Sequence, residues 1–498
     1  MRKKELSAFQ NYRLSLPNED YEALSAFLTE YHQHNFLSGN EKALMRADFE
    51  NALLKYASLG VPLGTALERL SIAHLGGFYA RPSLRWFALD NAAKIYPFSM
   101  AHGRMAVFRL SVYLREAVIP EFLQIALTFT IKRFPSFATT VKKGFFWHYL
   151  DTAKRRYSVE PEASMPCRPL KVAESGSQSF RVLHYQNRIS VEFFHILTDG
   201  FGGMVFLKTL LAEYLRLLGV DTEKGDGTLD IDETPLPCEL TNEFALVPKA
   251  QKASGFVDKT ALQMSGKLSR QKPCRVLHLK MDSAVLKQAA EGYNATVTTY
   301  LLALIFIAAK HATDETEGVL NVQVPVNMRK FYPSDTLRNF SMYCGIKLPI
   351  GRIADAQSVV GEIAAQLAKK ASLDAMQQMV TATERLVGGL RMIPLPVKTP
   401  VVKLVNSILS DKVFSTTLSN LGVVALPPEA EKYVESMDFV LGAAVANRAS
   451  CAMVTFGSTT TLSVTKGTPD PSFEEKLYAL LLADGVPSVV EGSALYED

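Results

Sequence analysis

The chain has 498 residues, of which 48% are hydrophobic and 21% charged, with a formal net charge of +4. That length exceeds one ordinary domain and the composition supports a large core, while so small a charge excess points away from a nucleic-acid binder. The five cysteines (Cys167, Cys238, Cys274, Cys344 and Cys451) are scattered, so no CxxC motif exists; they read as free thiols of a reducing compartment, and no metal site is expected.

The N-terminus, "MRKKELSAFQNYRLSLPNED", begins basic but lacks an apolar h-region, so no signal peptide is expected. Residues 1–80 read as an extension of about three short helices, with Leu24, Phe27, Leu28 and Tyr31 at helical spacing. From about residue 81 the texture becomes α/β. "MAVFRLSV" reads as a strand and "IPEFLQIALTFTIKRFP" as a helix. "FRVLHYQN" and "RISVEFF" form two strands around a turn at Gln186–Arg188, followed by a helix that stops at Gly219. Asp221–Glu243 carries eight acidic residues and one lysine, and Lys249–Arg275 carries seven basic residues and one acid; both read as loop.

Beyond the linker, "CRVLHLKMD", "LNVQVPVNMRK" and "NFSMYCGIKLPI" read as strands. "ATVTTYLLALIFIAAKHA" and "IADAQSVVGEIAAQLAKKAS" read as helices. "VFSTTLSNLG" is expected to be a strand running into a tight turn, "CAMVTFGSTTTLSVTK" a hairpin and "SFEEKLYALLLADG" a closing helix. The longest apolar run, Tyr300–Ala309, is too short to span a bilayer. The expected location is the cytoplasm, with no integral membrane segment.

The stretch "SVEFFHILTDGFGG" carries the chemistry. His195 falls just past a strand and Gly200 opens a helix, and turns of this kind are frequent places for reacting groups. A neutral imidazole accepts a proton near pH 7. Asp199 either orients that ring, or pairs with a distant cation, or simply caps the helix, in which case His195 is a core residue. No GxSxG, P-loop, GxGxxG or HExxH motif is present, which weakens serine-hydrolase, nucleotide-driven, dinucleotide-binding and metal-dependent readings.

"HILTDG" resembles the HHxxxDG signature of the CoA-dependent acyltransferase superfamily, which includes chloramphenicol acetyltransferase, peptide-synthetase condensation domains and alcohol acetyltransferases. "RWFALDNAAKIYPF" (Arg85–Phe98), "PVNMRKFYPSDTLRNF" (Pro325–Phe340) and "SNLG" (Ser419–Gly422) resemble further segments of the alcohol acetyltransferase-like branch, in the family's order. The likeness runs from about residue 81 to the C-terminus. It implies an α/β fold of two chloramphenicol-acetyltransferase-like sandwich lobes with an active-site tunnel between them. Residues 81–235 would form the lobe carrying HxxxDG, and residues 236–498 the lobe carrying PVNMR and SNLG.

The resemblance also implies roles. His195 matches the catalytic base, which takes a proton from the acceptor as it attacks an acyl-CoA thioester, with no acyl-enzyme. Asp199 and Gly200 match the architectural end of the motif, and Arg329 matches the cation that pairs with Asp199. Ser419 and Asn420 match positions near the reaction channel, where donors would stabilise an oxyanion; turn geometry is the other reading of Asn420 and Gly422. Phe194 stands where the family has its first histidine, and the plant relatives' DFGWG is at best "DFVLG" (Asp438–Gly442), to which no function is assigned. The implied co-substrate is acyl-CoA, acetyl-CoA in the simplest case, with no permanently bound cofactor. The implied partner is a small alcohol or amine acceptor. Two other readings stand beside this one. In the first the donor rides on an acyl carrier protein, to which the basic stretch Lys249–Arg275 is suited. In the second the chain is a relative that binds a ligand or partner without turnover.

Overall fold

The computed structural model describes residues 6–80, 85–94, 96–99, 105–153, 155–170, 178–253, 260–400, 412–444 and 446–496. Ile95 of the Arg85–Phe98 segment and residues 254–259 of the basic stretch lie outside the described residues.

Fifteen strands form three sheets among the described residues. A small antiparallel sheet has the order β1 (Trp86–Ala88), β4 (His148–Thr152), β3 (Thr139–Lys143). A five-stranded sheet has the order β12 (Val434–Leu441), β2 (Val107–Leu114), β7 (Arg188–Phe194), β6 (Phe180–Tyr185), β5 (Val159–Pro161). A seven-stranded sheet has the order β10 (Ser341–Pro349), β9 (Val319–Asn327), β11 (Thr416–Val424), β13 (Ala449–Phe456), β14 (Thr459–Lys466), β8 (Arg275–Asp282), β15 (Ser488–Gly492).

Each large sheet has its own core. Ile189–Phe194 of β7 are all buried, as a strand covered on both faces must be. The helices Pro120–Thr130 and Gly200–Leu218 pack together and share a core with the five-stranded sheet. The apolar helix Val297–His311, buried from Thr299 to Ala309, belongs to the core of the seven-stranded sheet. Among the described residues no single helix is long and apolar enough to cross a membrane.

Among the described residues the N-terminal extension holds four α-helices rather than about three short ones: Ala8–Ser15, Asn18–His34, Gly39–Ser58 and Leu63–Arg69. The third has 20 residues. They join the core of the five-stranded sheet through Tyr56 on Phe122 (ring centroids 4.3 Å apart) and Phe49 on Phe129 (6.0 Å). Arg156 pairs with Asp48 at 2.5 Å.

Four other elements differ from expectation. β11 continues through "SNLG" to Val424, with a register shift between Asn420 and Val423, instead of ending in a turn. The helices Ser283–Gly292 and Leu373–Gly389 lie in stretches where no element was expected. "DFVLG" lies mostly in β12, which pairs antiparallel with β2, so a strand late in the chain completes the sheet of the early part. The division into 1–80, 81–235 and 236–498 stands as a proposal, and β12 crosses it. β12 also lies against β13 and β14, where Thr465 donates to the Leu441 carbonyl at 2.8 Å, so it joins the two large sheets.

Candidate active site

β7 ends at Phe194, and the backbone N–H of His195 donates to the Ala106 carbonyl at 2.8 Å. This bond extends the pairing of β7 with β2 by one residue and fixes the direction in which the ring leaves the strand. The imidazole stacks on Tyr96, with centroids 5.1 Å apart at 22°, and meets Phe108 edge-on at 5.3 Å. Nδ1 is buried without a regular hydrogen-bond partner, which leaves Nε2 as the nitrogen for the cavity. Burial lowers the ring's pKa from its ordinary 6.5, partly opposed by Asp199. The half-buried histidine is therefore a neutral base at physiological pH.

Asp199 does two of the things considered for it at once. It is the N-cap of the helix Gly200–Leu218, its Oδ1 accepting from the backbone of Phe201 and Gly202 at 3.2 Å each. Its Oδ2 accepts from Arg329 Nη1 at 2.7 Å and from the Phe340 N–H at 2.8 Å. One carboxylate thus makes four hydrogen bonds, two within its own element and two to the segment after β9.

Arg329 is equally committed. Its Nη2 donates to the carbonyls of Thr336 and Arg338 at 2.7 and 2.9 Å, and its guanidinium lies 4.3 Å from the centroid of Phe201. Both side chains of the pair are nearly buried, at 7% and 5% exposure, so losing one partner strands a charge. The glycines allow this closeness. A Cβ on Gly202 would collide with the Leu337 carbonyl and one on Gly200 with the Leu421 side chain. Thr198 Oγ1 adds a bond to the Leu337 carbonyl at 2.7 Å.

Between the sheets lies a cavity of about 410 Å³. Phe108, His195, Asp199, Gly200, Phe201, Met204, Val205 and Lys208 line it from one side. Pro325, Asn327, Ser341, Thr417, Ser419, Asn420 and Leu421 line it from the other, with Phe439 and Leu441 from β12. Its size and largely apolar wall suit a small organic ligand. His195, Asp199, Gly200, Ser419 and Asn420 all reach it, while Arg329 stands behind Asp199.

Ser419 and Asn420 sit at the start of the β11 register shift. The Asn420 amide is in use, Nδ2 donating to Thr298 Oγ1 at 3.0 Å and Oδ1 accepting from the Gly422 N–H at 2.7 Å. That shapes the irregular backbone, where Gly422 has φ +78°. Among the described residues Ser419 Oγ has no such commitment, and Ser419 lies on the cavity wall.

Several residues at the site were not anticipated individually. Tyr96 lies inside the quoted segment Arg85–Phe98 but nothing in its spacing marked it. Phe108 and Lys208 occupy ordinary positions of a strand and a helix, and only the packing of the sheets brings them to His195's cavity. Among the described residues no group of histidine, cysteine and carboxylate side chains is arranged to hold a metal ion.

No family model matches the sequence, and no curated protein matches it. Solved structures do match. One is TRI101 of F. sporotrichioides, complexed with coenzyme A and T-2, at TM-score 0.57 and 12% identity, covering 79% of this chain and 97% of that one. Another is polyketide synthase associated protein 5 from Mycobacterium tuberculosis, at TM-score 0.55 and 12% identity, with coverage of 79% and 97%. A third is the first condensation domain of the CDA synthetase, at TM-score 0.52 and 13% identity, with coverage of 81% and 99%. At such identities the likeness establishes architecture: the chain has the α/β fold shared by these proteins, with further chain added to it.

Proposed function

We propose that the protein is an acyltransferase that moves an acyl group from a coenzyme A thioester to an alcohol or amine, with His195 as general base and no acyl-enzyme. The observation that carries this reading is a neutral, half-buried imidazole opening onto a cavity between two sheets, in a fold shared with a coenzyme A-bound structure.

In this reading the steps are these. His195 Nε2 takes the proton from the acceptor hydroxyl as its oxygen attacks the thioester carbonyl carbon. The C–O bond forms and the carbonyl oxygen takes the negative charge. Ser419 Oγ is the uncommitted donor for that oxyanion, a kind of contact worth about 3 kcal/mol. The C–S bond then breaks, and the thiolate takes the proton from the imidazolium, which restores the neutral base. Stacking on Tyr96 and the edge of Phe108 hold the ring in place. Asp199 and Arg329 are positioning residues: they tie the turn carrying His195 to the facing segment.

The test is release of free thiol from acetyl-, butyryl- and palmitoyl-CoA with a panel of alcohols and amines. Release should require an acceptor, and His195→Ala should lower kcat by ~10²–10⁴-fold while the protein stays folded. Equal release by that variant would sink the reading. Release only from a carrier-bound thioester would move it to a condensation-type enzyme, and none from any donor would leave a binding protein.

A further inference from the structure

We propose that Lys208 receives an anionic group, a carboxylate, on the acceptor substrate; this rests on the acyltransferase reading above. Lys208 lies on the helix that Asp199 caps, eight residues past Gly200 and so ~12 Å along its axis. It lines the same cavity as His195, at the end formed by Val205, Asp226 and Gly227. Its side chain is buried, the residue being 9% exposed. Its ammonium has three protons to place and donates to one acceptor, the backbone carbonyl of Asp226, at 2.8 Å.

Among the described residues no carboxylate lies within ion-pair distance of Lys208. Among the described residues buried cations fall into two groups: Lys398 and Arg338, like Lys208, donate to a backbone carbonyl without an ion pair, but neither lines this cavity. Arg109, Arg133 and Lys466 each pair with a glutamate. A buried ammonium held by one carbonyl is costly; burial pulls its pKa below the ordinary lysine value, and the Asp226 carboxylate, beyond ion-pair distance, opposes this only in part. Apart from Asp199 and Asp226, neither of which pairs with the ammonium, the surrounding wall is mostly apolar (Phe201, Met204, Val205, Val423, Val424), so a closely paired anion has to arrive with the ligand. The geometry fits a molecule with a hydroxyl at His195 and a carboxylate at the far end of an apolar chain of medium length.

The test uses ω-hydroxydecanoate and decanol as matched acceptors, with acetyl-CoA as donor, in the wild type, Lys208→Met and Lys208→Arg. Binding of each alcohol is measured by calorimetry without donor, and KM and kcat are measured separately. The wild type should prefer the carboxylate-bearing alcohol about tenfold or more, since a charge-assisted contact is at stake. Lys208→Met should abolish that preference and Lys208→Arg should retain part of it, with the loss falling on KM rather than kcat. If Lys208 only pins the turn at Asp226, both alcohols weaken together, the preference stays, and the proposal is overturned. A rise confined to the KM of acetyl-CoA also overturns it, because the anion is then the donor's phosphate. No binding of ω-hydroxydecanoate by the wild type overturns it and leaves the acyltransferase reading intact. Conversely, Lys208-dependent binding with no transfer from acetyl-, butyryl-, palmitoyl- or carrier-bound thioester leaves Lys208 as the seat of a ligand carboxylate and removes the acyltransferase reading.

Discussion

The two ends of β7 make an instructive pair. Arg188 opens the strand and His195 follows its last residue, so the ends lie ~23 Å apart. At the Arg188 end a cavity of about 750 Å³ is lined by Arg109, Tyr113, Glu162, Arg188, His278 and Asp438. Most of its charges pair with one another, although among the described residues Arg188 Nε and Asp438 Oδ1 are buried without a partner. Glu162 takes Arg109 at 2.8 Å and Arg188 at 2.6 Å, and Tyr113 donates to Asp438 at 2.7 Å, with His278 Nε2 3.9 Å from the same carboxylate. At the His195 end the smaller cavity is mostly apolar, and Ser419 and Lys208 keep hydrogen-bonding capacity that the protein does not use. The more highly charged region is thus held mainly by its own ion pairs. Polar groups that satisfy each other hold the sheets together, and those left short of partners are the ones that await a ligand.

This contrast breaks if substitutions at the two ends have the same kind of effect. Ser419→Ala should lower kcat by ~10²-fold as one oxyanion donor is lost, with little change in melting temperature. Transfer rates and thermal unfolding of the same preparation check this, and an unchanged kcat removes Ser419 from the oxyanion role.

Asp438→Asn should do the opposite, costing about 1–3 kcal/mol of stability with acyl transfer intact, because it weakens bonds that join β2, β8 and β12. Although burial works to raise the Asp438 pKa, His278 and Arg188 hold it below the ordinary carboxylate value. The charged form is therefore favoured on folding. Its stabilising effect is full above the unfolded pKa of about 3.9 and is lost as pH falls through the lower folded value. Urea titrations at neutral and acid pH should show the difference between variant and wild type shrinking in acid; a constant difference contradicts the ionic account.

The smallest effect is in the pH profile. Burial lowers the His195 pKa, so the base form survives to lower pH and the acid limb of kcat/KM should fall below pH 6.5. A limb above that value would mean that Asp199 outweighs burial.

Much of the local structure was legible in the sequence. The strands β2, β6 and β7, the helix stop at Gly219 and the hairpin of β13 and β14 follow from short-range periodicity and turn residues. The small sheet of β1, β3 and β4 was not, since β1 has only three residues and the short β3 and β4 carry charged residues that blur any alternation. At the site, "HILTDG" marked the turn, and Asp199's choice between cap and ion pair proved to be no choice, because a carboxylate has two oxygens to share.

The sequence by itself determined which segments are strands and helices around His195 and which residue types stand at the turn, because those depend on neighbours a few positions away. The pairing of Arg329 with Asp199 across 130 residues was expected from the resemblance and not from local pattern, and only the tertiary structure decided that β12 crosses to the sheet of β2 and that Lys208 shares a cavity with His195. Those outcomes depend on which apolar faces bury one another and on which buried charges then find partners, and no short stretch of chain carries that information.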